Sequence, residues 1–339
     1  MTVELQIANE KDLWNQIVES SPHGTIFHTW NWLKIVEKHS GAKLFPLVGY
    51  RGSTPVGVYP VFRLKKKIFR MVFSPPPRTL LLYLGPAIAN YDRLKQNKKA
   101  SLFWRFQREV DEFISSELKA NYTRIRTSPG LESRPLMWGG YDVRPLYTCM
   151  IRLDRDLDDI WSQLHRKTRV NIEKTKREGV TVQISDKEGL EYLRTALHER
   201  FKEQGFRSEK DYYREYLNDL YDSFYPENMK IFVAKYKEEM IGGFVLLCYG
   251  DWTGLWIGIP KTRLSGIYPN DLAQWEAIKW ARERGHKIYE IMDSGDDPRL
   301  TDYKSKFNPE PIPWFSAVKY SSSYIRMTEG IAKFFRIKR

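Results

Sequence analysis

A helix, a strand and a polar turn follow one another within residues 269–307, and this order constrains the fold of the chain most. The helix is predicted to begin at Pro269-Asn270-Asp271 and to end at Gly285, since Pro and Asp favour the first turn of a helix and Gly its end. A short strand at 287–292 precedes a turn rich in Asp and Gly, and Lys304 lies beyond that turn. Open α/β sheets bind ligands outside the carboxyl ends of their strands. The pattern therefore predicts an α/β domain with its ligand site near this turn.

The length of 339 residues favours two domains over one large domain, because single hydrophobic cores stop growing at roughly 250–300 residues. In each half, helices, an antiparallel pair of strands, a long helix and a further strand are predicted in that order, without a recognisable sequence repeat. We predict two α+β domains, at 1–153 and 154–318. The last stretch, 319–339, is typical of a basic amphipathic helix, and packing on the first domain is favoured over contact with a membrane surface.

Composition narrows the class of partner. The formal net charge is +13, with 55 Lys and Arg against 42 Asp and Glu, which favours ligands that carry phosphate, such as nucleic acid, coenzyme A or anionic lipid. A protein that is simply basic is the alternative. The two cysteines and six histidines lack the spacing of a metal site, so no metal is predicted. Neither a membrane-spanning run nor a signal peptide is evident, which favours a cytoplasmic protein.

Three segments, in this order, resemble the FemABX family. They are Phe27–Trp32, Leu164–Gly179, and the long pattern Trp275-x-x-Ile278-x-x-Ala281, Gly285, Tyr289-x-x-x-Asp293, Tyr303-Lys304-x-x-Phe307. The family consists of peptidyltransferases that attach amino acids to peptidoglycan precursors. The resemblance covers nearly the whole chain. It implies an α/β fold of two tandem acetyltransferase-like (GNAT) domains with mixed central sheets, no bound cofactor, an aminoacyl-tRNA donor and an amine acceptor.

The resemblance implies acyl transfer, in which an amine attacks an ester carbonyl and a tetrahedral oxyanion forms. Lys304 matches the family's lysine and is expected to stabilise that oxyanion, with Tyr303 beside it as a substrate contact. A solvated loop lysine is the alternative for Lys304. Asp293 ends the predicted strand, where its carboxylate could accept the amine proton or cap the turn. No catalytic base is assigned.

A turn before the helix at Pro269 bears on the acyl donor. Acetyltransferases hold the pyrophosphate of coenzyme A with backbone N–H groups of a glycine-rich turn that opens a helix. Arg263 and Gly266 match that turn, but Tyr268 stands where a second small residue is expected. Its bulk would hinder close approach to the backbone. A standard coenzyme A site is therefore disfavoured, and Tyr268 becomes a candidate wall of the substrate site.

Further cations and one aromatic residue complete the predicted substrate contacts. Arg166 and Arg169 lie in a basic helix and either hold a phosphate or form part of a solvated face. In the first domain the candidates are Trp32 and Lys34. Val36 stands at the position where the family has a phosphate-binding lysine. The identity of the acceptor therefore stays open.

Three functions are therefore considered. The first is transfer of an aminoacyl group from charged tRNA to an amine, such as that of a cell-wall peptide precursor. The second is an acyl-coenzyme A-dependent N-acyltransferase of the same double fold, and the third is a binding protein without activity. We expect a monomer that stays in the cytoplasm and can touch the inner face of the membrane.

Overall fold

The computed structural model describes residues 3–66, 69–203, 213–258, 264–292 and 297–321. The chain divides into two compact units, one made of residues 1–146 with the segment from 313 onward, the other of residues 147–312. These limits differ from the predicted 1–153 and 154–318 in two stretches, since 147–153 are part of the second unit and 313–318 of the first. Of the predicted helix at 319–339, the first two residues are strand, and 322–339 lie outside the described residues.

The helices and strands are numbered along the chain. Those up to the middle of the chain are β1 (Glu4–Ile7), α1 (Lys11–Glu19), α2 (Trp30–Ser40), β2 (Lys43–Arg51), β3 (Thr54–Lys66), β4 (Phe69–Ser74), β5 (Ala87–Ile88), α3 (Gln96–Ser116), β6 (Tyr122–Arg126), α4 (Arg134–Trp138) and β7 (Asp142–Arg152). The remaining ones are α5 (Leu157–Gln163), α6 (Arg166–Arg177), β8 (Thr181–Ser185), α7 (Lys187–Glu203), α8 (Arg214–Phe224), β9 (Met229–Tyr236), β10 (Glu239–Tyr249), β11 (Trp252–Gly258), α9 (Pro269–Glu283), β12 (Ile288–Glu290), α10 (Pro298–Ser305) and β13 (Glu310–Tyr320).

The sheet of the first unit has the strand order β1-β2-β3-β4-β6-β13, and β5 adds to β3. Neighbouring strands are antiparallel except β4 and β6, which are parallel. Helix α3, which connects this parallel pair, turns Phe103, Phe106 and Val110 toward the sheet, where they are fully buried. Their spacing of three to four residues is that of one helix face. The first core therefore forms between α3 and the sheet.

The second unit repeats this arrangement. Its strand order is β8-β9-β10-β11-β12-β7, and only β11 and β12 are parallel among these neighbours. Helix α9 connects the parallel pair and buries Leu272, Trp275 and Ile278 in the core of this unit. The α/β class with mixed central sheets and the repeated order of elements are therefore confirmed.

The last strand of each sheet comes from the other half of the sequence. Strand β7 follows β6 in sequence but pairs with β12, and β13 follows β12 but pairs with β6. The two halves thus exchange their closing strands, which explains why the units do not end at the predicted residues.

Local differences from the predicted elements occur where the candidate site forms. The sequence predicts one continuous helix from Leu157 to Glu178, but the structure interrupts it at Leu164 and His165, so that α6 begins at Arg166. The backbone N–H of Lys167 donates to Nδ1 of His165 (3.2 Å), which caps the new helix start. The sequence pattern does not predict helix α10. Asp297 caps it by accepting the N–H of Arg299 (2.9 Å), and Pro298 occupies its first position.

Within the described ranges, no helix is both long and apolar enough to cross a membrane. The same residues hold no group of three or more His, Cys, Asp and Glu side chains that would suit a metal ion.

Candidate active site

Three helix ends meet in the second unit: the start of α6, the start of α9 and the end of α10. The N–H of His165, the cap of α6, donates to the carbonyl of Lys306 just after α10 (2.8 Å). Asn171 on α6 donates through Nδ2 to Oδ2 of Asp271 in the first turn of α9 (3.0 Å). The hydroxyl of Tyr303 on α10 hydrogen-bonds to the same carboxylate. Asp271 therefore joins all three helices.

Lys304 lies on the last turn of α10, and its amine is directed at the chain that leaves β12. Its Nζ donates to the carbonyl oxygen of Met292 over 2.6 Å in a partly buried position. Met292 has a positive φ of 25°, and the carbonyl that it presents is two residues beyond the end of the strand. An ammonium has three N–H donors, and this contact uses one of them while it fixes the direction of the side chain. Lys304 is thus not a solvated loop lysine.

Asp271 and Tyr303 form the polar centre beside that lysine. The Asp271 side chain is almost buried, with 8% of its surface exposed. Burial, and then the charge of Asp271, raise the pKa of Tyr303 well above its usual range. Tyr303 therefore remains protonated and donates to Asp271. A carboxylate in the first turn of a helix is also favoured by the helix dipole. The negative charge that the start of α9 favours is therefore supplied by Asp271 itself.

The turn before α9 contains the residues that match a coenzyme A turn. Gly266 has a φ of +75°, and a Cβ built on it would lie 2.7 Å from Nζ of Lys174. The amine of this α6 lysine therefore lies against the turn. The backbone N–H of Tyr268, the N-cap of α9, donates to Oγ1 of Thr175 (3.0 Å). One N–H group of the turn is thus engaged by the protein itself, and a cation lies beside it.

Arg166 and Arg169 belong to the first turn of α6, which contains no acidic residue. Arg166 is exposed and Arg169 half-buried. Cations are unfavourable at the positive end of a helix by roughly 0.3–1 kcal/mol each. Their position is therefore better explained by an anionic partner than by helix stability, and phosphate binding by these two residues stays a prediction.

Residues 162–305 match the family model described as acetyltransferase (GNAT) domain. The structure of FemX is similar at 14% identity, with 92% of this chain and 96% of that chain covered and a TM-score of 0.69. A tandem GNAT protein from the clavulanic acid biosynthesis pathway is 10% identical, covers 94% of this chain and 99% of its own, and has a TM-score of 0.55. L-PGS from Bacillus licheniformis is 15% identical, with coverages of 95% and 94% and a TM-score of 0.51. No curated protein matches the sequence significantly.

The chain has the tandem GNAT fold of these structures. The GNAT domain in its second unit makes it an acyltransferase. The matched segment ends at residue 305, so it includes Lys304 and all of α9 and α10.

Two predicted substrate contacts of this tandem GNAT protein belong to the first unit. Trp32 is fully buried and packs edge-on against Phe27, with ring centroids 5.1 Å apart, which makes it a core residue in this conformation. Lys34 is exposed on α2 and forms an ion pair with Glu37 (2.6 Å), and a role in binding stays a prediction.

Asp293, predicted to lie at the end of the strand, is outside the described residues.

Sequence reasoning missed one buried carboxylate of the tandem GNAT protein, Glu290 on β12. It has no exposed surface. It accepts hydrogen bonds from Oγ1 of Thr148 on β7 (2.5 Å) and from Nε1 of Trp252 on β11 (2.8 Å). Gly254 leaves room for the Trp252 ring, because a Cβ there would lie 2.3 Å from it. The signal in the sequence was a single charged residue inside the apolar strand Ile288-Tyr289-Glu290-Ile291.

Proposed function

We propose that this tandem GNAT protein is an N-acyltransferase that moves an aminoacyl group from charged tRNA to an amine, with Lys304 as the residue that stabilises the oxyanion. The observation that carries the proposal is the direction of the Lys304 amine. It is held 2.6 Å from the Met292 carbonyl, past the end of β12, which is where α/β sheets bind ligands.

In the proposed reaction the amine nitrogen attacks the ester carbonyl at the end of the tRNA. A C–N bond forms, and the carbonyl oxygen becomes an oxyanion to which the Lys304 ammonium donates. The C–O bond to the terminal ribose then breaks, and the proton lost by the amine ends on the leaving ribose hydroxyl. A positively charged donor fixed before the reaction lowers the barrier, because it does not need to reorganise as charge develops.

Two contacts at the start of α9 argue against coenzyme A as the donor. The N–H of Tyr268 is engaged by Thr175, whereas a standard site would offer it to a phosphate. Asp271 already provides a carboxylate in the first turn of the helix, and its negative charge opposes a pyrophosphate at the same place. Charged tRNA is therefore the favoured donor, and the proposal locates the reaction in the cytoplasm.

One observation favours the alternative, an acyl-coenzyme A-dependent N-acyltransferase. The Lys174 amine lies beside the Gly266 turn, where a cation would attract a phosphate group. The same cation also suits a phosphate near the end of tRNA, so the two donors must be separated by experiment.

The test is incubation of the protein with a mixture of charged tRNAs and cell-envelope precursors, followed by mass spectrometry to identify the acyl group lost from tRNA and the amine that gains it. The resemblance to FemABX enzymes makes a cell-wall peptide precursor the first acceptor to try. Binding of acetyl-coenzyme A is measured in parallel by thermal shift. Stabilisation by acetyl-coenzyme A without deacylation of any charged tRNA would contradict the proposal and support the alternative.

Lys304→Ala is expected to lower kcat by roughly 100- to 1000-fold, the usual effect of losing one oxyanion donor. Lys306→Ala is the matched control, because Lys306 lies two residues further on and its amine pairs with Asp302 (3.5 Å). It should retain activity. Equal activities of the two variants would remove Lys304 from the mechanism.

A further inference from the structure

Strand β6 of the first unit presents two arginines on one face of the sheet. Arg124 and Arg126 are separated by one residue, so their side chains point to the same side. The guanidinium of Arg124 lies over the ring of Phe73 on the parallel neighbour β4, 5.2 Å from its centroid. That of Arg126 lies over the ring of Trp314 on β13, at 5.7 Å. Both cations are therefore held against aromatic faces on either side of β6.

Among the residues that the structure describes, no carboxylate forms an ion pair with Arg124. Its Nε is buried and makes no hydrogen bond. Burial lowers the pKa of the guanidinium, and the nearby titratable group that opposes this effect is the phenol of Tyr122, not a carboxylate. The residue as a whole is half-buried and retains some exposed surface.

An uncompensated buried charge is costly, because the cation loses hydration and gains no opposite charge in return. The contact with Phe73 recovers part of this loss. Arg126 also donates through Nη1 to the carbonyl of Leu82 (3.4 Å). Arginines are suited to phosphate groups, which accept paired N–H donors from guanidinium groups.

We propose that Arg124 and Arg126 form an anion-binding site in the first unit that takes the phosphate group of an organic phosphate. The aromatic rings of Phe73 and Trp314 hold the two guanidinium groups in place, so less side-chain freedom is lost when the anion binds. The site is independent of the function proposed for Lys304 and goes beyond it.

The test is calorimetric titration of the full chain with inorganic pyrophosphate. Arg124→Gln and Arg126→Gln should each weaken binding by about 10- to 100-fold, as expected for loss of one charge-assisted hydrogen-bonded contact. Arg63→Gln is the matched control, since Arg63 is also a half-buried strand arginine over an aromatic ring, that of Phe45 at 5.2 Å. It should bind as the wild type does. Lys304→Ala should also bind normally, which separates this site from the proposed reaction.

Vesicles of phosphatidylcholine with and without phosphatidic acid distinguish a lipid headgroup from a soluble phosphate. Binding to phosphatidic acid that depends on Arg124, without binding of pyrophosphate, assigns the site to a lipid. Binding of pyrophosphate that depends on Arg124 assigns it to a soluble ligand. If neither probe binds, or if Arg63→Gln weakens binding as much as Arg124→Gln does, the proposal is wrong.

Thermal stability gives a second measurement that does not depend on affinity. In buffer without phosphate, Arg124→Met should raise Tm by a few degrees, because a buried unpaired charge is replaced by an apolar side chain of similar length. Pyrophosphate should raise Tm of the wild type and leave that of the variant unchanged. A lower Tm of Arg124→Met in both buffers would identify a purely structural arginine and overturn the proposal.

Discussion

At the scale of single residues, Asp271 is the side chain that joins the helices of the candidate site. Its carboxylate receives a hydrogen bond from α6 through Asn171 and another from α10 through Tyr303. A nearly buried carboxylate that loses a donor retains the cost of its desolvation. The position of Lys304, one residue after Tyr303, therefore depends indirectly on this carboxylate.

Tyr303→Phe and Asn171→Ala are each expected to lower the free energy of unfolding by about 1–3 kcal/mol, since each removes a donor from a buried charge. Urea denaturation measures the change. Tyr147→Phe is the control, because Tyr147 is 53% exposed, and it should have wild-type stability. Wild-type stability of Tyr303→Phe would show that the hydroxyl contributes nothing to the assembly of the three helices.

Single residues were predictable where a pattern surrounds them. Lys304 was chosen through the resemblance, which matches it to the family's lysine, and its role in the reaction stays a prediction. A tryptophan on an apolar helix stripe most often packs into the core, as Trp32 does here. Glu290 was missed because its partners Thr148 and Trp252 are distant in sequence, and only the pairing of strands brings them together.

At the scale of elements, Glu290 joins three neighbouring strands. Its two oxygens bind Thr148 on β7 and Trp252 on β11, while Glu290 itself belongs to β12. This cluster lies at the parallel pair β11–β12, on the sheet from which the chain continues to Met292 and its contact with Lys304. The carboxylate thus stabilises the strands that position the candidate site.

Thr148→Val and Trp252→Phe should each destabilise the protein by about 1–3 kcal/mol. Because both donors serve one carboxylate, the double variant should not show the sum of the two effects. A double-mutant cycle by urea denaturation measures the difference. Thr181→Val on β8 is the control, as Thr181 is an exposed strand threonine. Strict additivity would mean that the two hydrogen bonds act independently.

Elements were predictable in proportion to their length and periodicity. The sequence predicts strands at Lys43–Arg51 and Tyr122–Arg126, and the bounds of β2 and β6 match them. Helix α10 was missed because none of its residues is fully buried, so it has no apolar stripe to recognise. Its remaining signal was Asp297-Pro298, a cap followed by proline at the first helical position.

At the scale of the whole molecule, two histidines of the first unit link stability to pH. Burial lowers the pKa of His23 and of His28 from 6.5 to about 4. His28 is fully buried, and its Nε2 lies 3.3 Å from the Gly85 carbonyl. Since these side chains bind protons more readily in the unfolded chain, their contribution to stability is complete above pH 6.5 and is lost as the pH falls toward 4.

For His28 the loss in the free energy of unfolding reaches about 3 kcal/mol, because each unit of difference between the folded and unfolded pKa corresponds to roughly 1.4 kcal/mol. Amide hydrogen exchange at about pH 5 and about pH 7 measures it, after correction for the intrinsic pH dependence of exchange. Protection in peptides of the first unit should decrease at the lower pH more than protection in α9 and β12. His28→Gln should reduce this difference, and an equal decrease in both units would contradict the assignment.

The predicted domain limits were the least accurate part of the sequence analysis at this scale. Hydrophobic periodicity reports which residues form a strand, but it does not report the sheet to which that strand adds. Residues 147–153 and 313–318 were therefore assigned to the half of the sequence in which they occur, whereas β7 pairs with β12 and β13 with β6.

This exchange has a consequence for how such a chain can evolve. A gene cut between the repeats would encode a first fragment whose β6 lacks β13 and a second whose β12 lacks β7. Each fragment would expose an unpaired strand edge, which promotes aggregation. Fission of the gene between the repeats would therefore be costly. The exchange of closing strands favours inheritance of the two halves in one gene, because each sheet is completed by a strand from the other half of the sequence.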